Sequence, residues 1–256
     1  MLEQGTRGRS HVRAVTRPHI VSDCETIIHG PQAQPIPLPP AMPEAVVRLQ
    51  LLASSYGVDL HSLTEVIRND IGLTVQLLNI FTLETGRQIA KSAGIAELIV
   101  HLGQDRLRQM AETMDVICFD PGSFESRQWQ RFCKQARALA RAAEDLARQV
   151  SPSEANIAFV AGLLRHIGKV PRLLGWNLQA CLPADRGETG VRLLEAWNLP
   201  AILADVVRGA ASEGSSQRSR SLLSLIETAE QQTWRPQQHQ DVLALTERIL
   251  TKVEQS

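Results

Sequence analysis

One stretch near the middle of the chain constrains the fold more than any other. It runs from about Ser126 to Val150 and reads SRQWQRFCKQARALARAAEDLARQV. Its apolar side chains recur every three or four residues, which is the spacing that places them on one face of an α-helix. No segment of the sequence shows the alternation of apolar and polar residues between turn residues that is typical of a half-buried strand. The sequence therefore predicts an all-α fold.

Shorter helices are predicted on both sides of this stretch. The first begins at Pro43, and Ser62 with Glu65 form a capping box that opens the second. The run LTVQLLNIF then predicts a buried helix that ends near Gly86. Another follows Pro152. The remaining predicted helices are Ile95–Leu102, Arg106–Ile117 after a break at Gly103, Glu188–Trp197, Pro200–Val207, Leu222–Gln232 and Asp241–Val253.

Composition divides the chain into three parts. Residues 1–36 carry four arginines and run into the proline-rich stretch GPQAQPIPLPP, which predicts a flexible basic arm. The segment FDPGSFES, directly after Cys118, combines turn residues and indicates a boundary between two lobes. We therefore predict an N-terminal helical lobe over residues 37–119 and a second helical lobe, with the C-terminal helices, over residues 120–256.

The charge balance and the scarcity of aromatic residues disfavour several classes of function. The formal net charge is zero, which argues against a protein that mainly coats nucleic acid or an anionic membrane. Aromatic residues make up 4%, too few for the stacking surfaces of single-strand binders. The four cysteines form no CxxC pair, so we expect a reduced chain without a structural zinc cluster. We expect a cytoplasmic protein without cofactors that is independent of the membrane.

Five motifs follow one another along the chain: LPPAMPEAVVRLQLL, SLTEVIRNDIGLTVQLLN, Leu102-Gly103, FVAGLLRHIGK and ETGVRLLEAWNLPAILADVV. In this order and spacing the chain resembles the HDOD domain, a bacterial relative of the HD metal-dependent phosphohydrolases found in signalling proteins. Two positions depart from the family pattern: Asp70-Ile71 replaces an Asp-Pro pair, and Thr82-Leu83 replaces Asn-Ser. The resemblance covers about Leu38 to Ala229. It implies an HDOD-like fold with an N-terminal helical lobe and a C-terminal HD-like lobe.

The resemblance also assigns positions to the metal ligands of the active relatives. A histidine of the long helix corresponds to a position on or near Lys134, and the His-Asp pair corresponds to Arg165-His166. Later histidine positions correspond to Arg186 and to Ala210-Ala211. Lysine and arginine offer no lone pair to a metal at neutral pH, and one imidazole does not hold a catalytic ion. The resemblance therefore implies that the metal site is lost and that the chain is not an enzyme.

The cations at these positions form a candidate site for an anion or a partner protein. If the fold is that of the family, Lys134, Arg165, His166 and Arg186 approach one another. Clustered cations are costly without a counter-charge. Two sources remain open: the carboxylates of Asp185 and Glu188 neutralise the cluster, or a bound anion such as a nucleotide phosphate does. Cys133, beside Lys134, has no evident catalytic base, so the sequence does not favour a nucleophile there.

A second candidate surface is a basic stripe on the long helix. The stripe consists of Arg127, Arg131, Arg137 and Arg141, with Lys134 on the same face. The opposite face carries Phe132, Ala136, Leu139, Ala143 and Leu146. The spacing fits a solvated face of an amphipathic helix, and it also fits a docking surface for an acidic helix or for phosphate.

Three functions remain open from the sequence. The favoured one is a catalytically inactive HDOD-type regulatory module that contacts other signalling proteins in trans, with two-component or cyclic-dinucleotide enzymes as candidates, because no receiver or GGDEF-like segment is present. The alternative is a divergent metal-dependent phosphohydrolase or phosphodiesterase. Nucleic-acid binding through the basic helix and the arginine arm is disfavoured by the net charge and the few aromatic residues.

Overall fold

The computed structural model of the protein describes residues 36–55, 57, 59–85, 94–176 and 182–234. These residues form two compact units, the first reaching Arg127 and the second starting at Gln128. The division falls in the first turn of the long helix Phe124–Val150, whose first three residues are the last three of the FDPGSFES segment. The arm predicted over residues 1–36 lies outside the described residues except for its last position, and the helix predicted over Asp241–Val253 lies outside them entirely.

Four helices build the first unit. They are α1 (Pro43–Ser54), α2 (Leu60–Arg68), α3 (Ile71–Thr85) and α4 (Ile95–Thr113), and the first three all contact α4. Pro43 lies in the first turn of α1, as predicted, because its missing amide hydrogen has no helical partner there. The core is formed by fully buried side chains that include Leu49, Leu63, Leu77, Leu98 and Leu107.

Asp70 connects α3 to the chain that precedes α1. This buried carboxylate accepts hydrogen bonds from the amides of Leu73, at 2.9 Å, and of Met42, at 3.0 Å. The first bond satisfies an amide in the first turn of α3, where the helix has no partner for it. Asp70 therefore serves to join two segments of the first unit.

The capping box predicted for the second helix is wrong. α2 begins at Leu60, so Ser62 lies inside the helix, and Asp59 is the residue that caps it. The Asp59 carboxylate accepts a hydrogen bond from the His61 amide at 3.0 Å and another from the Ser62 hydroxyl. Aspartate is at least as good an N-cap as serine, and it stands earlier in the chain.

The break predicted at Gly103 is confirmed. Gly103 has φ 75° and ψ 170° and divides α4 into two helical segments, in a backbone region that glycine alone adopts readily. The second segment ends at Thr113 and not at Ile117, because the following residues pair with Ala41. The Ala41 amide donates to the Asp115 carbonyl and the Ile117 amide donates to the Ala41 carbonyl, both at 3.0 Å.

The second unit is also helical. It contains most of α5 (Phe124–Val150), followed by α6 (Ala155–Leu164), α7 (Val170–Leu173), α8 (Arg186–Ala196), α9 (Ala204–Arg208) and a helix over residues 217–234, here α10. Within the described residues, the bridge between Ala41 and Val116 is the one strand-like pairing, and the all-α prediction is confirmed. In that part of the chain, none of the helices combines the length and the hydrophobicity needed to cross a membrane.

The short helix α6 lies at the centre of this unit. All of its residues except Asn156 are buried. It approaches α5 closely at Gly162, where an added Cβ would lie 2.8 Å from the Cα of Ala140. Because α6 is apolar on every side, the first polar residues available to chemistry are those that follow its last residue, Leu164.

Candidate functional site

Arg165 and His166 directly follow the last residue of α6 and lie at the edge of the core. Both side chains are mostly covered, with 15% and 26% of their surface exposed. A cation that is removed from water to this extent needs a counter-charge or hydrogen-bond acceptors. The partners of these two side chains therefore define the candidate site.

Both side chains bind one carboxylate, that of Glu230 on α10. The Nε of Arg165 lies 3.2 Å from Glu230 Oε2, and the Nε2 of His166 lies 2.9 Å from Glu230 Oε1. The hydrogen bond from His166 is the main reason why the pKa of Glu230 lies below its ordinary value. The charges of His166 and Arg165 act in the same direction, and burial opposes them. Glu230 is therefore ionised at neutral pH.

The Arg165 guanidinium also contacts the end of α9. Its Nη1 donates a hydrogen bond to the Val206 carbonyl at 2.5 Å. The next turn of chain passes beside it at Gly209, where an added Cβ would lie 2.9 Å from Nη1. Gly209 also has φ 83°, which favours glycine. Arg165 thus joins α6, α9 and α10.

Lys169 and Arg186 add two more cations to the same region. Lys169 ends the 3-10 turn Ile167–Lys169, and this turn lies against the first residue of α8. An added Cβ on Gly168 would lie 1.9 Å from the Arg186 carbonyl oxygen, so the two backbones touch. Burial lowers the pKa of Lys169 most, the charge of Arg186 lowers it further, Glu230 raises it and Arg165 lowers it. We call Arg165, His166, Lys169, Arg186 and Glu230 the cation cluster.

Asp185 and Glu188, one of the two sources of counter-charge that the sequence left open, have other roles. Glu188 Oε1 accepts a hydrogen bond from Arg208 Nε at 2.7 Å. Asp185 caps α8, its Oδ1 accepting from the Glu188 amide at 2.9 Å. Of the two sources of counter-charge left open by the sequence, the structure therefore gives no support to these carboxylates, because Asp185 binds the backbone and Glu188 binds Arg208.

Glu230 and Lys169 were missed from the sequence. A signal for Glu230 exists: it follows Ile226 by four residues and Leu223 by seven, and both of these are buried. An acidic side chain at that spacing shares the buried face of its helix and needs a partner there. For Lys169 the sequence offered only its position in the motif FVAGLLRHIGK.

Lys134 and the basic stripe lie on α5. Lys134 is exposed, and within the described residues it takes no part in the interactions of Arg165, His166, Lys169 or Glu230. Its membership of the site stays a prediction. The stripe residues Arg127, Arg131 and Arg141 are exposed and Arg137 is half-buried. The predicted apolar face is buried at Phe132, Ala136, Leu139 and Ala143, and half-buried at Leu146.

The side chains at the positions that the resemblance assigns to metal ligands do not fit a divalent metal ion. Arg165 and Arg186 have no lone pair to donate, and the Nε2 of His166 is bonded to Glu230. Ala210 and Ala211 have no donor atoms in their side chains. In the part of the chain that the structure describes, no three His, Cys, Asp or Glu side chains come together in a group that could hold a metal.

Comparison with solved structures shows similarity of fold. The MmoQ response regulator from Methylococcus capsulatus str. Bath (fragment 20–298) matches with a TM-score of 0.58 and 19% identity, over 75% of this chain and 82% of that one. A virulence factor from Campylobacter jejuni subsp. jejuni matches with a TM-score of 0.56 and 17% identity, over 84% and 87% of the two chains. No curated protein shows significant similarity to this sequence.

The sequence itself matches the model of one family, the HDOD domain, over residues 39–177. The match begins before α1 and extends past α7, so it includes Arg165, His166 and Lys169. Arg186 and Glu230 lie beyond it. Because the match spans more than half of the chain, this protein belongs to the HDOD domain family.

Proposed function

We propose that this protein is a catalytically inactive regulatory module of the HDOD type that acts through contact with other signalling proteins. The observation that carries the proposal is the bond between His166 and Glu230. His166 is the one imidazole at the positions that the resemblance assigns to metal ligands, and its Nε2 is bonded at 2.9 Å to a carboxylate of the same chain. The ring nitrogen that a metal would need is therefore engaged in a hydrogen bond within the chain.

The exposed part of the basic stripe supports contact with an acidic partner. Arg131 and Lys134 lie on the solvent side of α5, while the opposite face of the helix is buried. A fixed row of cations on a rigid helix orients an acidic surface and speeds its association. The similar fold of a protein named as a response regulator is consistent with a partner in signalling, such as a two-component or cyclic-dinucleotide enzyme.

The first experiment is a measurement of metal content and hydrolysis. Full-length protein is purified without chelator and offered manganese, iron, nickel or zinc, and its activity on phosphodiesters is assayed. We expect no stoichiometric metal and no hydrolysis. Retention of one or two ions per chain, lost in His166→Ala but kept in His101→Ala, would instead support the alternative, a divergent phosphohydrolase. His101 is a suitable control because it lies on α4 in the first unit, against the Phe81 ring.

The second experiment tests protein contact. Partners are identified by cross-linking in cells, and each is then purified and titrated against the full chain. We expect the double variant Arg131→Glu, Lys134→Glu to weaken binding by about tenfold or more, because charge complementarity becomes repulsion. The control is Arg192→Glu, an exposed charge on α8. Equal binding by the double variant and the wild type would remove the stripe from the proposal.

A further inference from the structure

The cation cluster contains more positive charge than its own side chains neutralise. Arg165, Lys169 and Arg186 are cations at neutral pH, and the cluster contains one carboxylate, Glu230. Glu230 is already bonded to Arg165 and His166. Two positive charges therefore remain without a counter-charge within the cluster.

The surplus is localised on Lys169 and Arg186. Among the described residues, no carboxylate oxygen lies within 4.0 Å of the charged group of either side chain. The carboxylates of Glu188 and Asp205 bind Arg208 instead. Arg186 is exposed and Lys169 is half-buried. A ligand from solvent can therefore reach both side chains.

The two cations are held near each other by the backbone. Gly168 touches the Arg186 carbonyl, and the Gly190 backbone closes on the same glycine, with its amide 3.0 Å from where a Gly168 Cβ would lie. This contact seats the turn that ends in Lys169 on the first turn of α8. The burial of Lys169 and the charge of Arg186 both lower the pKa of the Lys169 ammonium. Because like charges so placed are unfavourable, a bound anion would relieve the repulsion.

We propose that Lys169 and Arg186 form a binding site for the phosphate group of a small phosphorylated ligand. A guanidinium presents paired donors that match two phosphate oxygens, and an ammonium adds a point charge. Two cations also match the charge of a phosphate dianion. This inference rests on the proposed function, since it treats the cluster as a binding site and not as a catalytic one.

The test is a titration of full-length protein with inorganic phosphate, in the presence of EDTA and at constant ionic strength against chloride. We expect saturable binding that Lys169→Met and Arg186→Gln each weaken by about tenfold or more. Arg192→Gln, on the exposed face of the same helix, is expected to change it by less than about twofold. Absence of saturation up to about 10 mM phosphate, or equal loss in the Arg192 variant, would overturn the proposal.

A second readout follows Lys169 directly. Isotope-labelled methyl groups are attached to the lysine amines, and NMR then measures the pKa of Lys169 with and without phosphate. We expect phosphate to raise this pKa, because an anion favours the ammonium form. An unchanged pKa at saturating phosphate would place the anion elsewhere and overturn the assignment.

Two further comparisons show which kind of phosphate compound binds and which of the two proposals a negative result contradicts. A nucleoside monophosphate that binds tighter than inorganic phosphate supports a nucleotide ligand, and equal affinities support recognition of the phosphate group alone. The titration measures phosphate binding in the presence of EDTA, so a negative result would contradict this proposal without contradicting the proposed function. Stoichiometric metal with phosphodiesterase activity would overturn the proposed function, whether or not phosphate binds.

Discussion

Glu230 Oε1 lies 2.9 Å from the Nε2 of His166, and this bond connects two residues that are 64 positions apart in the chain. The other oxygen of the same carboxylate lies 3.2 Å from Nε of Arg165. A single side chain on α10 therefore binds both polar residues that follow the buried helix α6. The stability of the second unit and the charge of its candidate site depend on the same group.

Replacing Glu230 with glutamine is expected to destabilise the protein by about 1–3 kcal/mol. A glutamine amide has one acceptor oxygen, so it satisfies Arg165 or His166 but not both, and its NH2 group faces a donor. Urea unfolding followed by circular dichroism measures the change. The matched control is Glu195→Gln, which removes an exposed carboxylate 3.3 Å from Arg192 and should change stability by less than about 0.5 kcal/mol. Equal effects of the two variants would contradict this role of Glu230.

The effect of Glu230→Gln should depend on pH. Because folding lowers the pKa of Glu230, its ionised form stabilises the folded state fully above its ordinary pKa of 4.5. That contribution is lost as pH falls below this value through the lowered pKa. The stability difference between wild type and variant should therefore be constant above this range and shrink below it. A difference that persists undiminished near about pH 3 would contradict the assignment.

Gly168→Ala should destabilise the second unit by about 1–3 kcal/mol or more. The new Cβ would lie 1.9 Å from the Arg186 carbonyl oxygen, and backbone cannot move aside as a side chain does. Gly214→Ala is the control, because nothing lies within 4 Å of its added Cβ. Thermal unfolding of both variants checks this prediction, and equal melting temperatures of the two would contradict it. In the phosphate titration, Gly168→Ala should also weaken binding, since it separates Lys169 from Arg186.

Two substitutions of Asp185 separate its capping role from its charge. Asparagine retains an acceptor for the Glu188 amide, so Asp185→Asn should leave stability nearly unchanged. Alanine removes the acceptor and should cost about 1 kcal/mol. Chemical denaturation of both variants makes the comparison. If asparagine were as damaging as alanine, the carboxylate charge, and not the cap, would be what stabilises this end of α8.

Several features of the fold were predictable because their causes are local. Pro43 at the start of α1 and the break at Gly103 follow from the conformations that proline and glycine allow. The long helix α5 was predicted within two residues at its start because its periodicity repeats over many turns. Two of the boundaries that failed, at Ser62 and at Ile117, depended on a choice between neighbouring caps and on a bridge to Ala41.

The sequence by itself determined the helical class of this protein and its apolar faces. Each of these depends on residue type and short-range spacing, since the geometry of a helix repeats about every 3.6 residues. Only the tertiary structure decided which carboxylate binds Arg165 and His166, and that among the described residues neither Lys169 nor Arg186 has a carboxylate within ion-pair distance. Such pairs join segments that are distant in the chain, and their distances follow from how α6, α8 and α10 pack together. The spacing of residues along the sequence does not determine those distances.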